Sequence, residues 1–176
     1  MAQGQNTLLT ADFWKSKPDL ATVKATIAKG NNPAEANKGN FDAVTMAINT
    51  DAPLEIQLFL IQQEGNSVKK LTHDGRTYLH WAANKGNVEL VRYLLAQGAD
   101  HNLSDDKGAI PLAFAAANGQ ANPKLYELFF NTGNNPKQKF KNGATLLHLA
   151  IPNDKDLQLA AYLTTKGLSL KDTDDL

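Results

Sequence analysis

The sequence contains no cysteine, and its charges cancel, because 18 Lys and Arg residues face 18 Asp and Glu residues. Without cysteine, disulfides, thiolate metal sites and a cysteine nucleophile are excluded. Without net charge, no general field draws in nucleic acid or an anionic membrane, so charge-driven binding needs a local patch. The best apolar run, residues 58–61, is far shorter than the roughly 18 residues of a membrane helix. We therefore expect neither membrane insertion nor nucleic-acid binding.

The chain does contain an internal repeat. Residues 75–83, Gly-Arg-Thr-Tyr-Leu-His-Trp-Ala-Ala, have counterparts at residues 108–116 and 143–151 and a weaker one at residues 40–48. In chain order, the first residues of these segments are 35, 33 and 35 positions apart. A period of this length indicates small units stacked into an array, and a composition of 42% hydrophobic residues suits a folded chain.

A second periodic segment follows each copy and ends at a glycine. In the clearest case Val88, Val91 and Leu94 fall on one helical face, and Gly98 supplies the left-handed residue that ends a helix. Residues 18–27 form a looser N-terminal member of the same kind. Each repeat is therefore predicted to be a pair of helices.

Residues 72–105 resemble an ankyrin repeat. The matching residues are Asp74, Gly75, Thr77, Leu79, His80, Ala82, Ala83, Gly86, Val91, Leu94, Leu95, Gly98, Ala99, Asp100 and Asn102. The resemblance continues, more loosely, over about residues 10–170. It implies an all-α solenoid of about five helix–turn–helix repeats with short β-hairpin fingers and no true sheet. A single array is expected over residues 1–176, with repeats at about 7–38, 39–71, 72–105, 106–139 and 140–174.

Several positions depart from the family pattern. Ala113 stands where the family has histidine, and Asn40 and Asp42 stand where it prefers glycine and threonine. Lengthened loops containing Pro53 and Pro123 separate the helices of repeats two and four. Each proline is predicted at the start of a second helix, where the missing N–H costs little.

The histidines do not indicate chemistry. His80 and His148 hold the family's Thr-x-Leu-His position, which implies hydrogen bonds that tie adjacent turns. His73 and His101 lie near aspartates, and a divalent metal is the alternative there, but no spacing such as His-x₃-His is present. No phosphate loop, nucleophile elbow or paired-carboxylate cleft occurs in the sequence. We therefore expect that the protein is not an enzyme and that it binds neither a cofactor nor a metal ion.

Two rows of equivalent residues remain open to two interpretations. The large apolar row comprises Met46, Trp81, Phe114 and Leu149. It either packs between repeats, which is favoured, or forms an exposed stripe for a partner. The asparagine row comprises Asn49, Asn84, Asn118 and Asn153. These residues either stop the first helices through a left-handed φ and local hydrogen bonds, or offer a ladder of amides to a partner backbone.

Lysines concentrate on two predicted fingers. One finger carries Lys69 and Lys70, and on the other Lys137, Lys139 and Lys141 surround Phe140, with Lys107 between the two. Such a tip either is an ordinary solvated loop or meets an acidic partner or an anion.

The leading prediction is a monomeric scaffold that binds an unknown protein partner through its fingers and concave face. The contact residues implied by the family's usual contact positions are His73, Arg76, Trp81, Asn84, Lys85, Lys107, Ala109, Phe114, Asn118, Lys141, Ala144 and Asn153. The alternative is a structural or assembly segment of a larger ankyrin-repeat chain that packs intramolecularly. An enzyme with an unrecognised site is the third possibility, and a deep pocket with perturbed acidic groups would be needed to support it.

The two ends carry expectations of their own. The polar start at residues 1–5 resembles mature bacterial envelope proteins, which favours a periplasmic or secreted location over the alternative, a cytoplasmic one. The segment 170–176 stands where a further finger would begin, so the natural array is expected to continue beyond it; a frayed acidic tail is the alternative.

Overall fold

The computed structural model describes residues 5–175, and in that range ten α-helices follow one another as five pairs. The first four residues, on which the expectation about location depends, and Leu176 lie outside the described residues. The pairs are α1 (Ala11–Lys15) with α2 (Leu20–Ala28), α3 (Ala43–Asn49) with α4 (Leu54–Ile61), α5 (Tyr78–Asn84) with α6 (Val88–Ala96), α7 (Pro111–Ala117) with α8 (Pro123–Thr132), and α9 (Leu146–Ala150) with α10 (Gln158–Thr165). The predicted all-α architecture is confirmed.

Local sequence signals explain where the helices begin and end. Helix α5, the first helix of the third pair, starts at a capping box in which Thr77 and His80 satisfy each other's backbone N–H groups. The second helix α6 starts at Asn87, whose side chain accepts from Leu90 N. Gly98 follows α6 with φ +82°, as predicted, because a residue without Cβ adopts this left-handed conformation at little cost.

The helices stack in two rows. First helices contact first helices, with α5 between α3 and α7, and second helices contact second helices, with α6 between α4 and α8. The space between the rows holds the core, in which Tyr78, Tyr126 and Phe129 are completely buried. Each such side chain contributes about 1.5–3 kcal/mol through removal from water, so the stack depends on each repeat covering the next.

The fingers are tight loops that precede the first helices. We number them two to five after the helix pair that follows: residues 37–41, 72–76, 105–109 and 140–144. Each loop is closed by one backbone hydrogen bond between its end residues, for example Thr72 N to Arg76 O at 2.8 Å. Among the described residues one isolated antiparallel bridge occurs, between Ala36 and Asp42. The fingers thus keep the predicted hairpin shape while the backbone pairing stays minimal.

A buried polar cluster joins repeats two and three. Asp42 is fully buried and accepts hydrogen bonds from Thr45 N at 2.9 Å and from the Tyr78 hydroxyl at 2.6 Å. Lys70 Nζ lies 2.8 Å from Oδ2 of Asp42. Burial, together with the neighbouring Asp42 carboxylate, raises the pKa of Tyr78, so this phenol stays a hydrogen-bond donor. One carboxylate therefore caps its own helix and also ties it to the next repeat.

No helix in residues 5–175 combines the length and apolarity that crossing a membrane requires.

Candidate binding surface

Fingers three and four are held to each other. Asp106 N donates to Asp74 O at 2.9 Å, and Lys107 Nζ lies 2.7 Å from Asp74 Oδ2. The hydrogen bond from Lys107 is the largest influence that lowers the pKa of Asp74, so the pair is charged at neutral pH. Backbone and side chain together fix the relative position of the two finger tips.

The ring of His80 connects helix α5 to finger four by hydrogen bonds. Its ring is fully buried, with Nδ1 accepting from Thr77 N at 3.2 Å and Nε2 lying 3.1 Å from Ala109 O. Since Ala109 O can only accept a hydrogen bond, Nε2 carries the proton and Nδ1 is unprotonated. His148 makes the matching contacts with Thr145 N and Asp172 O. The structural role predicted for both histidines is confirmed.

Lowering the pH below about 6.5 is expected to destabilise the fold through His80. Burial is the main reason that the folded-state pKa of His80 lies below its ordinary value of 6.5. Between the two values the unfolded chain binds a proton that the folded chain does not, so the free energy of unfolding falls as the pH falls. This stabilisation is complete above about pH 6.5 and is lost towards the lowered folded-state pKa, with a limiting slope of about 1.4 kcal/mol per pH unit.

Urea unfolding between pH 7.5 and 5 measures this dependence. The matched variant is His80→Ala, which installs the residue that repeat four carries at this position, Ala113. The variant should be less stable at pH 7.5 and should have a shallower pH dependence. An equal slope in both proteins would show that His80 is not the responsible group.

Arg76 forms the centre of a second cluster, which we call the Arg76 cluster and define by Arg76, Asp74, Asp105, Trp81 and Phe114. Arg76 Nε donates to Asp105 Oδ2 at 2.9 Å, and its Nη1 lies 3.1 Å from Asp74 Oδ2. The guanidinium carbon lies 4.1 Å from the ring centroid of Phe114 and 5.3 Å from that of Trp81. A planar cation between two carboxylates and two rings is well suited to such a position. Arg76 thus fills the gap between finger three and finger four.

The large apolar row mainly packs between the repeats, which is the interpretation that the sequence favoured. Trp81 is 7% exposed, donates from Nε1 to Thr72 Oγ1 at 2.8 Å, and meets Phe114 edge to face with centroids 5.8 Å apart. The other members, Met46, Phe114 and Leu149, are half-buried against the core. The edges of these side chains still contribute to the surface above the first helices.

Two members of the asparagine row donate hydrogen bonds within the chain, one inside its own helix and one to the preceding repeat. Asn118 Nδ2 donates to Phe114 O in its own helix, and Asn153 Nδ2 donates to Ala117 O of the preceding repeat, both at 2.7 Å. The predicted left-handed conformation is wrong for the whole row, because none of its four asparagines has a positive φ; Asn118, for example, has φ −101°. Gly119 takes that conformation instead, with φ +79°, because glycine reaches it without a Cβ clash.

The predicted contact residues differ widely in exposure. The exposed members are Lys107, Asn118, Lys141 and Asn153. The half-buried members are His73, Asn84, Lys85, Ala109, Phe114 and Ala144. Arg76 and Trp81 are buried and satisfied within the chain, and Lys85 pairs with Asp51 at 2.8 Å. A binding role for the twelve residues stays a prediction.

A cavity of about 130 Å³ lies between fingers four and five, and we call it the interfinger cavity. Its lining residues are Lys107, Gly108, Ala109, Ala113, Ala117, Phe140, Lys141 and Leu149. The structure thereby brings together three predicted contact residues with small and apolar side chains that the contact prediction omitted. Comparison of repeat four with repeat three points to these lining residues. Finger four and α7 have alanine at three positions where repeat three has longer side chains.

In residues 5–175 no three His, Cys, Asp or Glu side chains are grouped so that they could hold a metal ion. His101 Nδ1 instead lies 2.8 Å from Asn134 Oδ1, which belongs to the loop of the next repeat.

A solenoid of stacked helix pairs with finger loops places the chain among repeat proteins. Residues 14–105, more than half of the chain, match the family model for ankyrin repeats in three copies. The chain belongs to the ankyrin-repeat family.

Relatives with ankyrin-type similarity come from several eukaryotes. The chain is 30% identical to the B-cell lymphoma 3 protein homolog of Mus musculus over 136 residues, which are 76% of this chain and 30% of that protein. It is also 30% identical to an ankyrin repeat-containing protein of Schizosaccharomyces pombe over 132 residues, covering 74% of this chain and 56% of that one. Identity with the RelA-associated inhibitor of Mus musculus is 29% over 104 residues, or 57% and 12% of the two chains. The chain thus spans from about a tenth to about half of these relatives. Ankyrin repeats generally mediate protein–protein interactions.

Proposed function

We propose that this chain is a binding scaffold that recognises a protein partner on the surface formed by its fingers and first helices. The observation that supports this most is the mutual fixing of fingers three and four through Asp74, Lys107 and the buried His80. Loops that are already ordered lose little conformational entropy when a partner binds. The same surface would serve binding rather than catalysis, in a monomer whose balanced charge disfavours nucleic acid.

A second candidate function is assembly within a larger array. Three large apolar side chains of the last repeat are strongly exposed: Ile151 at 42%, Leu157 at 59% and Leu170 at 71%. Exposed apolar side chains on one repeat offer apolar contacts to another surface. This alternative places the partner at the end of the stack instead of along the fingers.

Site-specific photocross-linking separates the two functions. A photoreactive phenylalanine analogue is placed at Asn118, at the end of α7, and in a matched variant at Gln97, which is also exposed and lies at the end of a second helix. In extracts of the native organism, the Asn118 variant is expected to give a discrete cross-linked species that excess unmodified chain suppresses, whereas the Gln97 variant gives none. Equal cross-linking from both positions, or none that is competed, would contradict the proposed surface.

A further inference from the structure

The interfinger cavity has a filled counterpart one repeat earlier. Between fingers three and four the gap is occupied by Arg76, which follows Gly75 and lies over the ring of Phe114. Between fingers four and five the residue after the finger glycine is Ala109, and the place of Phe114 is taken by Leu149. The chain therefore contains both versions of one site, the first filled by its own side chain and the second open.

Three truncations at equivalent positions create the opening. In repeats three and four, respectively, the paired residues are Arg76 and Ala109, His80 and Ala113, and Asn84 and Ala117. In each pair the residue of repeat four has the shorter side chain, and in repeat three the side chains of Arg76 and His80 reach finger four, at Asp105 Oδ2 and Ala109 O. In the same alignment Asp105, the carboxylate that holds Arg76, is replaced by Phe140. The site between fingers four and five thus has neither an internal occupant nor the charged group that would bind one, and it has an aromatic wall at Phe140.

The size and lining of the cavity suit one apolar side chain. It measures about 130 Å³, and Ala113, Phe140 and Leu149 give it an apolar lining. An engineered protein cavity of about 150 Å³ with apolar walls accommodates benzene. A leucine side chain is of comparable bulk and would cover Phe140 and Leu149, which are half-buried.

The charges at the rim select the residues next to that side chain. Lys107 and Lys141 both line the cavity and are exposed. Lys107 is already paired with Asp74, and Asp105 is buried against Arg76, so neither of these carboxylates adds a free negative charge to the rim. Lys141 is therefore the principal cation offered to a partner. Opposite charges at the edge of an apolar contact increase selectivity and the rate of association.

We propose that the interfinger cavity is a preformed socket for one leucine-sized apolar side chain of a partner segment that carries carboxylates on both sides of it. This rests on the proposed scaffold function and specifies the chemistry of the partner at one point of the surface. Arg76 shows by its own position that an inserted side chain fits between two adjacent fingers of this array.

A peptide titration of the isotope-labelled full chain tests the socket. The probe is a capped pentapeptide with a central leucine and two acidic residues on each side, followed by backbone amide shifts in NMR spectra. Shifts are expected at residues 107–117 and 140–149 and not in α2 or α4. Replacing the peptide's leucine with alanine should weaken binding about tenfold, and exchanging its acidic residues for glutamine about threefold.

Variants of the chain provide the decisive comparison. Ala109→Arg refills the socket as in repeat three and should abolish the shifts, although it adds a positive charge that would otherwise favour an acidic peptide. The matched control, Ala25→Arg, makes the same change on the exposed side of α2 and should leave binding unaltered. Ala117→Leu fills the socket from the exposed end of α7 and tests it again should Ala109→Arg fail to fold.

Unchanged peptide binding in folded Ala109→Arg or Ala117→Leu protein would overturn the socket, and so would shifts that are confined to other parts of the chain. If cross-linking from Asn118 persists in that case, the scaffold function stands and only the socket is wrong. If the peptide binds in the socket while cross-linking from Asn118 fails, the socket stands and the scaffold function is wrong.

Discussion

Replacement of Asp42 by alanine is expected to lower the free energy of unfolding by about 3–5 kcal/mol, the range for breaking a buried ion pair on one side only. The variant leaves the Lys70 ammonium without its carboxylate and removes one acceptor of the Tyr78 hydroxyl. It also removes the cap at the start of α3, because Asp42 accepts from Thr45 N. Because the lost contact with Tyr78 joins repeats two and three, the chain should also lose cooperativity between its N-terminal and central parts.

Chemical denaturation followed by circular dichroism measures the loss, and an exposed pair supplies the control. Asp12 and Lys15 lie 3.8 Å apart with side chains 98% and 75% exposed, so Asp12→Ala should change stability by less than about 1 kcal/mol. Asp42→Asn keeps an acceptor for Thr45 N and should fall between the two. A loss for Asp42→Ala no greater than that for Asp12→Ala would show that the buried cluster does not stabilise the interface between the repeats.

Arg76→Ala is expected to cost about 3 kcal/mol or more, because it leaves the fully buried side chain of Asp105 without its cation. The Asp105 carboxylate would keep its bonds from Lys107 N and Ala109 N, but the oxygen that accepts from Arg76 would lose that partner. The change also uncovers the ring of Phe114. In effect it makes the gap between fingers three and four resemble the interfinger cavity.

A double-mutant cycle isolates the pair from the packing. Arg76→Ala combined with Asp105→Ala should cost less than the sum of the single changes, because the second removes the uncompensated charge that the first exposes. Arg92→Ala, on the exposed face of α6, is the matched arginine control and should stay within about 0.5 kcal/mol. Additive losses would mean that Arg76 and Asp105 are not energetically coupled.

The helices and their ends follow from local signals, which is why the sequence predicts them well. The capping box at Thr77 and His80 lies within one turn, and Gly98 ends α6 by a conformation that few other residues adopt. Stacking is equally predictable, because the apolar face of each helix pair recurs with the repeat and must be covered.

Individual contacts on the surface were harder to predict, because they depend on residues a full repeat away. Arg76 has the sequence context of an exposed finger residue, yet it is buried and pairs with Asp105, which lies 29 positions later in the chain. Asn118 has the type of residue that tolerates a left-handed φ, but Gly119 follows it and takes that conformation at lower cost. The interfinger cavity exists because Ala109 and Ala113 have shorter side chains than the equivalent residues of repeat three. It can therefore be predicted only by comparing the repeats position by position.

The Arg76 cluster and the interfinger cavity therefore represent two solutions to one structural problem, the gap between adjacent fingers. In the first solution a cation and two carboxylates close the gap and hold the array together. In the second the gap stays open, and its rim carries Lys107 and Lys141. The proposed socket would thus lie one repeat after a gap that the chain closes with its own side chain.

Cross-linking from Asn118 and Leu157 in parallel tests whether a partner is bound along the fingers and first helices. Leu157 is exposed at the start of α10, on the last repeat. We expect Asn118 to give a cross-link to a heterologous protein that excess unmodified chain suppresses and that Ala109→Arg weakens, and we expect none from Leu157. A cross-link from Leu157 alone, or one whose mass equals two copies of this chain, would contradict it and favour assembly through the end of the stack.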